Sequence, residues 1–361
     1  MTRQAQGARG RIERAVLAQL KQLEKTHPQA TLLVACSGGA DSLALAAALI
    51  RLAPARDFKL VAATVDHGWR PESGIQAQKV QELLSSLGYS QVEILTLSSA
   101  QISGHGKEGD ARKRRYLALE EAASKYGSLG KNVFILLGHT RDDQAETVLL
   151  GLIRGSGPRS IAGMRSWDEG AGGKSSRRAG YLRPLLQLPR RDTVAACREG
   201  GLFFIDDPSN YPDGPVKAAD GTALRRSALR YQALPALEKA LGVDPRPALA
   251  RTAALLQADL DALDTVATTW FGQLQKPELA GITLDTRPLL SQPAAIRKRV
   301  WRLAALAAGA RASDLRKVQL DAVDHLATAR RGTGPIQLPG KIACTRKGGT
   351  YEVSFRPEPR G

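Results

Sequence analysis

Over the first 160 residues the chain alternates between two kinds of pattern. Short apolar runs lie at Thr31–Cys36, Lys59–Val65, Val92–Leu97 and Asn132–Leu137, and between them Ser42–Leu52, Ile75–Leu87 and Ala111–Tyr126 carry apolar residues at helical spacing. Such alternation predicts parallel strands wrapped by helices, with the strands buried on both faces: an α/β domain. Upstream, Ile12, Val16, Leu17 and Leu20 share one face of a predicted amphipathic helix. Residues 163–180 are rich in Gly, Ser and Arg and lack periodicity, which reads as a basic loop. A short extended piece follows, then a helix with Pro189 near its start and Gly200–Gly201 closing it. After a Pro/Gly/Asp linker at 211–221 the pattern turns helical, over 222–241, 246–275, 293–308 and 313–330, with Ser313 as an N-cap. The last stretch reads as two or three short strands. The expected organisation is therefore a catalytic domain at 1–221, a helical domain at 222–330 and a short β tail at 331–361.

Length supports more than one domain, since 361 residues exceed a single ordinary core. The longest apolar run, Leu43–Ile50, is far short of a membrane span. Cys36, Cys197 and Cys344 are odd in number, distant from one another and form no C-x-x-C, which argues against a disulfide framework, a zinc ribbon or an iron–sulfur cluster. The expected compartment is a reducing cytoplasm. A net charge of +17 and a pI near 10.1 change the picture most. Self-repulsion of that size points to a polyanionic partner, with nucleic acid first, an anionic membrane surface behind it and a merely solvated basic surface as the bland alternative.

Three polar clusters fall at strand ends. Ser37–Ser42 follows the first strand, Val65–Gly68 ends the second, and Gly138–Asp143 ends the fourth. In an open parallel sheet the carboxyl ends of the strands form the ligand crevice. In "SGGADS", Gly38 and Gly39 let a ligand approach the backbone, the following helix offers its N–H groups, and Ser37 and Ser42 add hydroxyls. There is neither a G-x-x-x-x-G-K-[ST] nor a G-x-G-x-x-G, so this is not a Walker loop or a dinucleotide fingerprint. Asp41 reads either as a helix cap or as a ligand that holds Mg²⁺ against phosphate. Arg112 and Arg115 are i,i+3 neighbours on one helix, and so are Asp143 and Glu146 on another. The apolar Val148, Leu149, Leu152 and Ile153 of that second helix are expected to face the core.

In order and approximate spacing, "SGGADS", "VDHGWR", "ARKRRY", "GHTRDDQAETVLLGLIRGSGPRSIAGM", "RPLL" and "DDPSN" resemble the ATP-pyrophosphatases with a pyrophosphate loop. Within them, the set is similar to the tRNA(Ile)-lysidine synthase family over roughly residues 30–230. The resemblance implies an α/β nucleotide-binding domain followed by a helical one. It also implies an ATP-dependent ligase that joins free L-lysine to the wobble cytidine of a tRNA(Ile) with a CAU anticodon. By that resemblance Ser37, Gly38, Gly39, Ala40, Asp41, Ser42, Asp66, His67, Gly138 and His139 bind ATP, with Mg²⁺ on Asp41. Asp66 reads equally as a helix cap. Arg112 and Arg115 offset charge on phosphate or on the adenylated intermediate, and Asp143 and Glu146 hold the lysine. Arg154, Arg159, Arg183, Arg225, Arg226 and Arg230 contact RNA phosphates; a homodimer is a further expectation. Two positions depart from the family pattern: Thr140 stands where a second histidine is usual, and Ser227 where an asparagine is. The competing readings are another ATP-pyrophosphatase, such as a tRNA thiolase, and a non-catalytic RNA-binding protein.

Overall fold

The computed structural model describes residues 7–66, 68, 73–97, 106–127, 132–155, 157–168, 179–218, 220–276, 278, 281–312, 314–329 and 335–358, with 106–108 as backbone only. His67, Ser156 and the expected cap Ser313 lie outside these residues, as does most of the basic loop after Asp168. Chain contacts divide the molecule into two compact units, Met1–Ala254 and Leu255–Gly361.

The first unit is built on a six-stranded sheet. Its strands are β1 (Thr31–Ala35), β2 (Lys59–Asp66), β3 (Val92–Thr96), β4 (Val133–Leu137), β5 (Trp167–Asp168) and β6 (Gly180–Leu182), in the spatial order β3-β2-β1-β4-β6-β5. All neighbours pair in parallel except β5 with β6. Chain order runs outward in both directions from β1, so the β1/β4 boundary is the switch point where a crevice opens at the strand ends. The continuous apolar character of β1 and β4 is explained by burial on both faces: Leu32, Leu33 and Val34 of β1 and Ile135 and Leu136 of β4 are fully enclosed.

Around the sheet lie α1 (Ala8–Thr26), α2 (Ala40–Leu52), α3 (Ser73–Ser86), α4 (Gly106–Ser124), α5 (Arg141–Ile153), α6 (Pro158–Ile161) and α7 (Arg190–Glu199). In α1 the predicted stripe is inward, with Ile12, Val16 and Leu20 buried. Its first turn is fastened by the Glu199 carboxylate, which accepts from the N–H groups of Ala8 and Arg9 at 2.9 Å each. For α5 the expected core face needs correcting. Val148 is buried, but Leu152 is 48% exposed and Ile153 75%. The helix is turned by α6, which packs so closely on Gly151 that a Cβ there would stand 2.4 Å from the Ser160 carbonyl oxygen. The buried stripe therefore runs through Gln144, Val148 and Gly151, and the last turn projects outward.

The helical stretch expected to open a second domain begins within the first unit. It comprises α8 (Arg225–Ala228), a π-helical turn at Leu229–Ala233, α9 (Leu234–Leu241) and α10 (Arg246–Leu274), and the division between units falls inside α10. Ionic contacts fix the early part there: Arg226 and Arg230 reach Glu146, and Arg246 reaches Asp142 at 3.3 Å.

The second unit has an antiparallel sheet, β7 (Gln275–Lys276), β8 (Ile282–Asp285), β9 (Ile336–Leu338), β10 (Ile342–Arg346) and β11 (Glu352–Pro357), in the order β7-β8-β11-β10-β9. With it come α11 (Ala294–Ala307) and α12 (Lys317–Thr328). The terminal strands are thus part of a larger sheet that includes β7 and β8, which were too short to be read from pattern. Trp301 and Phe355 are its largest fully buried side chains. The indole N–H of Trp301 donates to Asp324 at 2.9 Å, and Arg297 grips the same carboxylate through two bonds of 2.8 and 2.7 Å.

Candidate active site

The turn after β1 shows how the sequence makes an anion cradle. Gly38 has φ +81°, a conformation that favours glycine, and a Cβ there would meet Val80 and Ile205 within 2.8 Å. Gly39 is the N-cap of α2, so Ala40, Asp41 and Ser42 occupy its first turn, where backbone N–H groups have no carbonyl partner within the helix. The Ser42 hydroxyl accepts from the Ser37 N–H at 3.1 Å and donates to the Gly39 carbonyl at 3.0 Å, which locks the loop. Gly138, at the end of β4, comes so close that a Cβ would stand 2.8 Å from the Asp41 backbone. The end of β4 is therefore in van der Waals contact with the first turn of α2, and the crevice opens over them. It has a volume of about 450 Å³, and among its lining residues are Ser37, Asp41, Arg112, Arg115, His139, Asp143, Arg190 and Arg230.

Asp41 lies in the first turn of α2, not at its cap. Its carboxylate accepts from the Thr193 hydroxyl and faces Arg190 at 3.3 Å. Burial pushes the carboxyl up to about 6, against the opposing pull of Arg190. Asp66 folds its own turn by accepting from the Gly68 N–H at 2.9 Å. The Cys36 thiol beside the loop is buried and pushed up by desolvation, and Cys197 is pushed up to about 11 for the same reason.

On α5, Thr140 and Asp143 form a capping box. One Asp143 oxygen accepts from both the N–H and the hydroxyl of Thr140 at 2.8 Å, and the other meets Arg230 at 3.0 Å. Burial favours the neutral acid, but Arg230, the Thr140 N–H and Arg190 outweigh it, so Asp143 is held well below the usual carboxylate range. Thr140, the departure from the family pattern, thus has a structural duty of its own. One turn on, Glu146 is fully enclosed. Arg230 donates to one of its oxygens at 2.6 Å, while the other has no hydrogen bond and only Arg226 at 3.5 Å. Here burial wins over Arg230 and pushes the acid up to about 7. Two carboxyl groups at i and i+3 are therefore shifted in opposite directions by their surroundings, Asp143 down and Glu146 up. His139 is kept neutral at physiological pH by burial among arginines.

The structure brings Asp41, Arg112, Arg115, His139 and Asp143 to the lining of one crevice, with Glu146 enclosed behind Arg230, which also lines it. It does not leave all the expected RNA contacts on the surface. Arg154, Arg159 and Arg225 are exposed, but Arg183 is 7% exposed, and Arg226 and Arg230 turn inward onto Glu146. Sequence reasoning missed Arg190 and Thr193, which reach Asp41 from α7, and Gln144, which clamps the backbone of Met164 through bonds of 2.9 and 2.8 Å. The only available signal for the first pair was an arginine-rich helix start after Pro189.

A glycine turn feeding a helix at the switch point of a parallel sheet, with a carboxylate in the first helical turn, defines a PP-loop nucleotide-binding domain. The model of that name, "PP-loop domain", matches residues 12–237, and the model of a "TilS substrate binding domain" matches 284–350. The chain is 45% identical over 326 residues to a tRNA(Ile)-lysidine synthase of Streptomyces coelicolor, covering 89% of this chain and 84% of that one. It is 40% identical over 344 residues to the synthase of Salinispora arenicola, covering 95% of each. A solved U34-tRNA thiolase from Methanococcus maripaludis shares the fold, with a TM-score of 0.52 at 17% identity over 69% of this chain and 79% of that one. The chain belongs to the tRNA(Ile)-lysidine synthase family, enzymes that are ATP-dependent ligases acting on tRNA. Among the described residues, no helix is long and apolar enough to cross a membrane.

Proposed function

We propose that this protein uses ATP to adenylate the wobble cytidine of a tRNA(Ile) and then joins free L-lysine to C2 of that base. The observation that carries the reading is the shared crevice: a glycine-and-amide cradle at the tip of β1 faces Asp143 on the helix after β4, and Arg230, also in the lining, bridges it to the enclosed and differently tuned Glu146. The cradle fits a polyphosphate, and the carboxyl groups fit an amine that must lose a proton.

In the first step the O2 oxygen of the extruded cytidine attacks the α-phosphate of ATP and pyrophosphate leaves. The loop amides and Arg190 hold the departing phosphates. Arg112 and Arg115 face the crevice to neutralise charge that develops at the α-phosphate. Asp41 suits Mg²⁺, because a single buried carboxylate completed by phosphate oxygens is a usual site for that ion, and burial raises its carboxyl despite Arg190, which favours a further cation beside it. When bound, the cation supplies further neutralisation of the phosphates.

In the second step the lysine ε-amine attacks C2 and AMP departs with the O2 oxygen. Arg230 fills the space between Asp143 and Glu146 in this structure, so an incoming ammonium exchanges with a guanidinium at those oxygens. Charge is conserved in that exchange, which keeps its cost low. Glu146, poised near neutrality, takes the proton that the ammonium must lose; Asp143, held ionised, orients it. The buried thiols of Cys36 and Cys197, both pushed upward, do not suit the sulfur chemistry of a thiolase. Formation of AMP that requires tRNA and lysine together tests the reading. AMP formed with tRNA and a sulfur donor but not with lysine would overturn it.

A further inference from the structure

Pairing the charges around the crevice leaves a surplus on one side. Arg190 is matched by Asp41, Arg230 by Asp143 and Glu146, and Arg226 by Glu146. Arg112 and Arg115 on α4 also line the crevice, yet no carboxylate lies within ion-pair distance of either among the described residues. Arg112 donates to the Tyr116 hydroxyl at 3.1 Å, and its guanidinium lies 5.1 Å from the centre of that ring; Arg115 lies 6.0 Å from the same centre.

Behind them stands Arg183, nine-tenths buried. It donates to the Arg165 carbonyl at 2.8 Å, its guanidinium is 5.7 Å from the Tyr181 ring, and its Nε has no hydrogen-bond partner. Tyr116 and Tyr181 pack with ring centres 5.4 Å apart, so the cations and the two rings interleave. Burial pushes the Tyr116 phenol up, but Arg112, Arg183 and Arg115 together outweigh it and draw it below its ordinary range, a sign of strong local positive potential. The wall is rigid, because Gln144 clamps the Met164 backbone next to Arg165. Holding guanidinium groups out of water without counter-charge is costly. Such an arrangement persists where a ligand brings the missing anion.

Position says which anion. The loop that fits the polyphosphate follows β1, whereas Arg183 follows β6, two strand spacings away, or about 10 Å. His139, at the β4 tip, stands between them and feels Arg112, Arg183 and Arg115 together. We propose that Arg112 and Arg115, backed by Arg183 and Tyr116, form a second phosphate seat that takes one phosphodiester of the RNA strand beside the nucleotide being modified. This rests on the proposed activity and adds a contact that fixes the extruded nucleotide. Arg112 and Arg115 then serve the RNA backbone as well as the α-phosphate, while Arg183 acts through them as a positioning residue.

The test uses the full chain and an anticodon stem–loop RNA. ATP affinity and RNA affinity are measured separately for the native protein, Arg115→Gln and Arg183→Lys, with thermal unfolding to confirm that each is folded. RNAs with a neutral methylphosphonate on either side of the target cytidine complete the cycle. Arg115→Gln is expected to lose roughly tenfold in RNA affinity, the worth of a charge-assisted bond, and to lose distinctly less in ATP affinity, since the loop amides and Arg190 still hold the nucleotide. One of the two methylphosphonates should cost the native protein a similar factor and cost Arg115→Gln nothing more. Arg183→Lys keeps the charge but not the planar fork, and should raise the KM for RNA while leaving the KM for ATP in place. Equal losses of ATP and RNA affinity would assign the seat to the nucleotide and overturn the proposal. So would full native affinity for both methylphosphonate RNAs. Lysine incorporation by the native protein reads the proposed activity independently, so the two ideas can fail separately.

Discussion

Replacing Glu146 by Gln should change how stability depends on pH by a calculable amount. The Glu146 carboxyl titrates near 7 in the folded protein because burial dominates, against about 4.5 in the unfolded chain. A raised acid favours the folded state only while it is protonated. Its contribution is therefore fully present below pH 4.5 and is lost as pH rises toward 7. A shift of that size corresponds to about 3 kcal/mol, since each pK unit is worth about 1.4 kcal/mol. Glutamine does not titrate and removes this term. The amide also alters the contacts with Arg226 and Arg230, but that offset does not depend on the titration of Glu146. The useful quantity is thus the difference in unfolding free energy between Glu146→Gln and the native protein, followed by urea denaturation and circular dichroism from pH 4.5 to 8. It should move in favour of the variant by about 3 kcal/mol across that range, with most of the change between pH 5 and 7. In parallel, the lysine-dependent rate of the native enzyme should rise through pH 7, and the variant should lack that limb. A difference that stays flat with pH, or moves the other way, would refute the assignment of Glu146 as the poised acid.

Asp41→Asn should abolish tRNA-dependent AMP formation, reducing it by about a hundredfold or more, the scale of removing a group that stabilises charge in the transition state; full retention would rule out its role. Arg230→Met removes the partner of two buried carboxyl groups and should destabilise the protein by about 3–5 kcal/mol, seen as an earlier urea midpoint, with part of the loss recovered in Arg230→Met/Glu146→Gln. Gly138→Ala should raise the KM for ATP several-fold, because a methyl group there stands 2.8 Å from the Asp41 backbone and pushes the first turn of α2 away from the end of β4; an unchanged KM would show that the contact relaxes freely. Association with tRNA should weaken steeply between 50 and 200 mM salt, as a net charge of +17 implies, and an affinity independent of salt would contradict phosphate-led binding.

The parts of the fold that repeat were legible in the sequence. Strands β1 to β4 lie within a residue or so of the apolar runs; β1, β4 and the middle of β2 are buried on both faces and leave an uninterrupted signature, while the half-buried edge strand β3 keeps enough apolar residues to be read. Two-residue strands such as β5 and β7 carry too little pattern to be seen, whereas the three-residue β6 falls where the short extended piece was expected. The exposure of Leu152 and Ile153 was illegible for a different reason: the rotation of α5 is set by Gly151 against α6, a contact between segments that helical spacing does not encode. The site was legible in its residue types and strand-end positions, but not in its pairings. Arg226 and Arg230 read as surface cations until the π-helical turn brings Arg230 onto Asp143 and Glu146. Arg190 and Thr193 come to Asp41 from a helix some 150 residues later in the chain, a distance over which no motif in one sequence reports.

The most direct test of the account is incorporation of labelled lysine into tRNA(Ile) bearing the CAU anticodon, with AMP counted in the same reaction. One lysine retained on the RNA for each AMP released, and neither without ATP, is the predicted result. ATP consumed with no lysine on the RNA, or lysine attached without AMP, would contradict it.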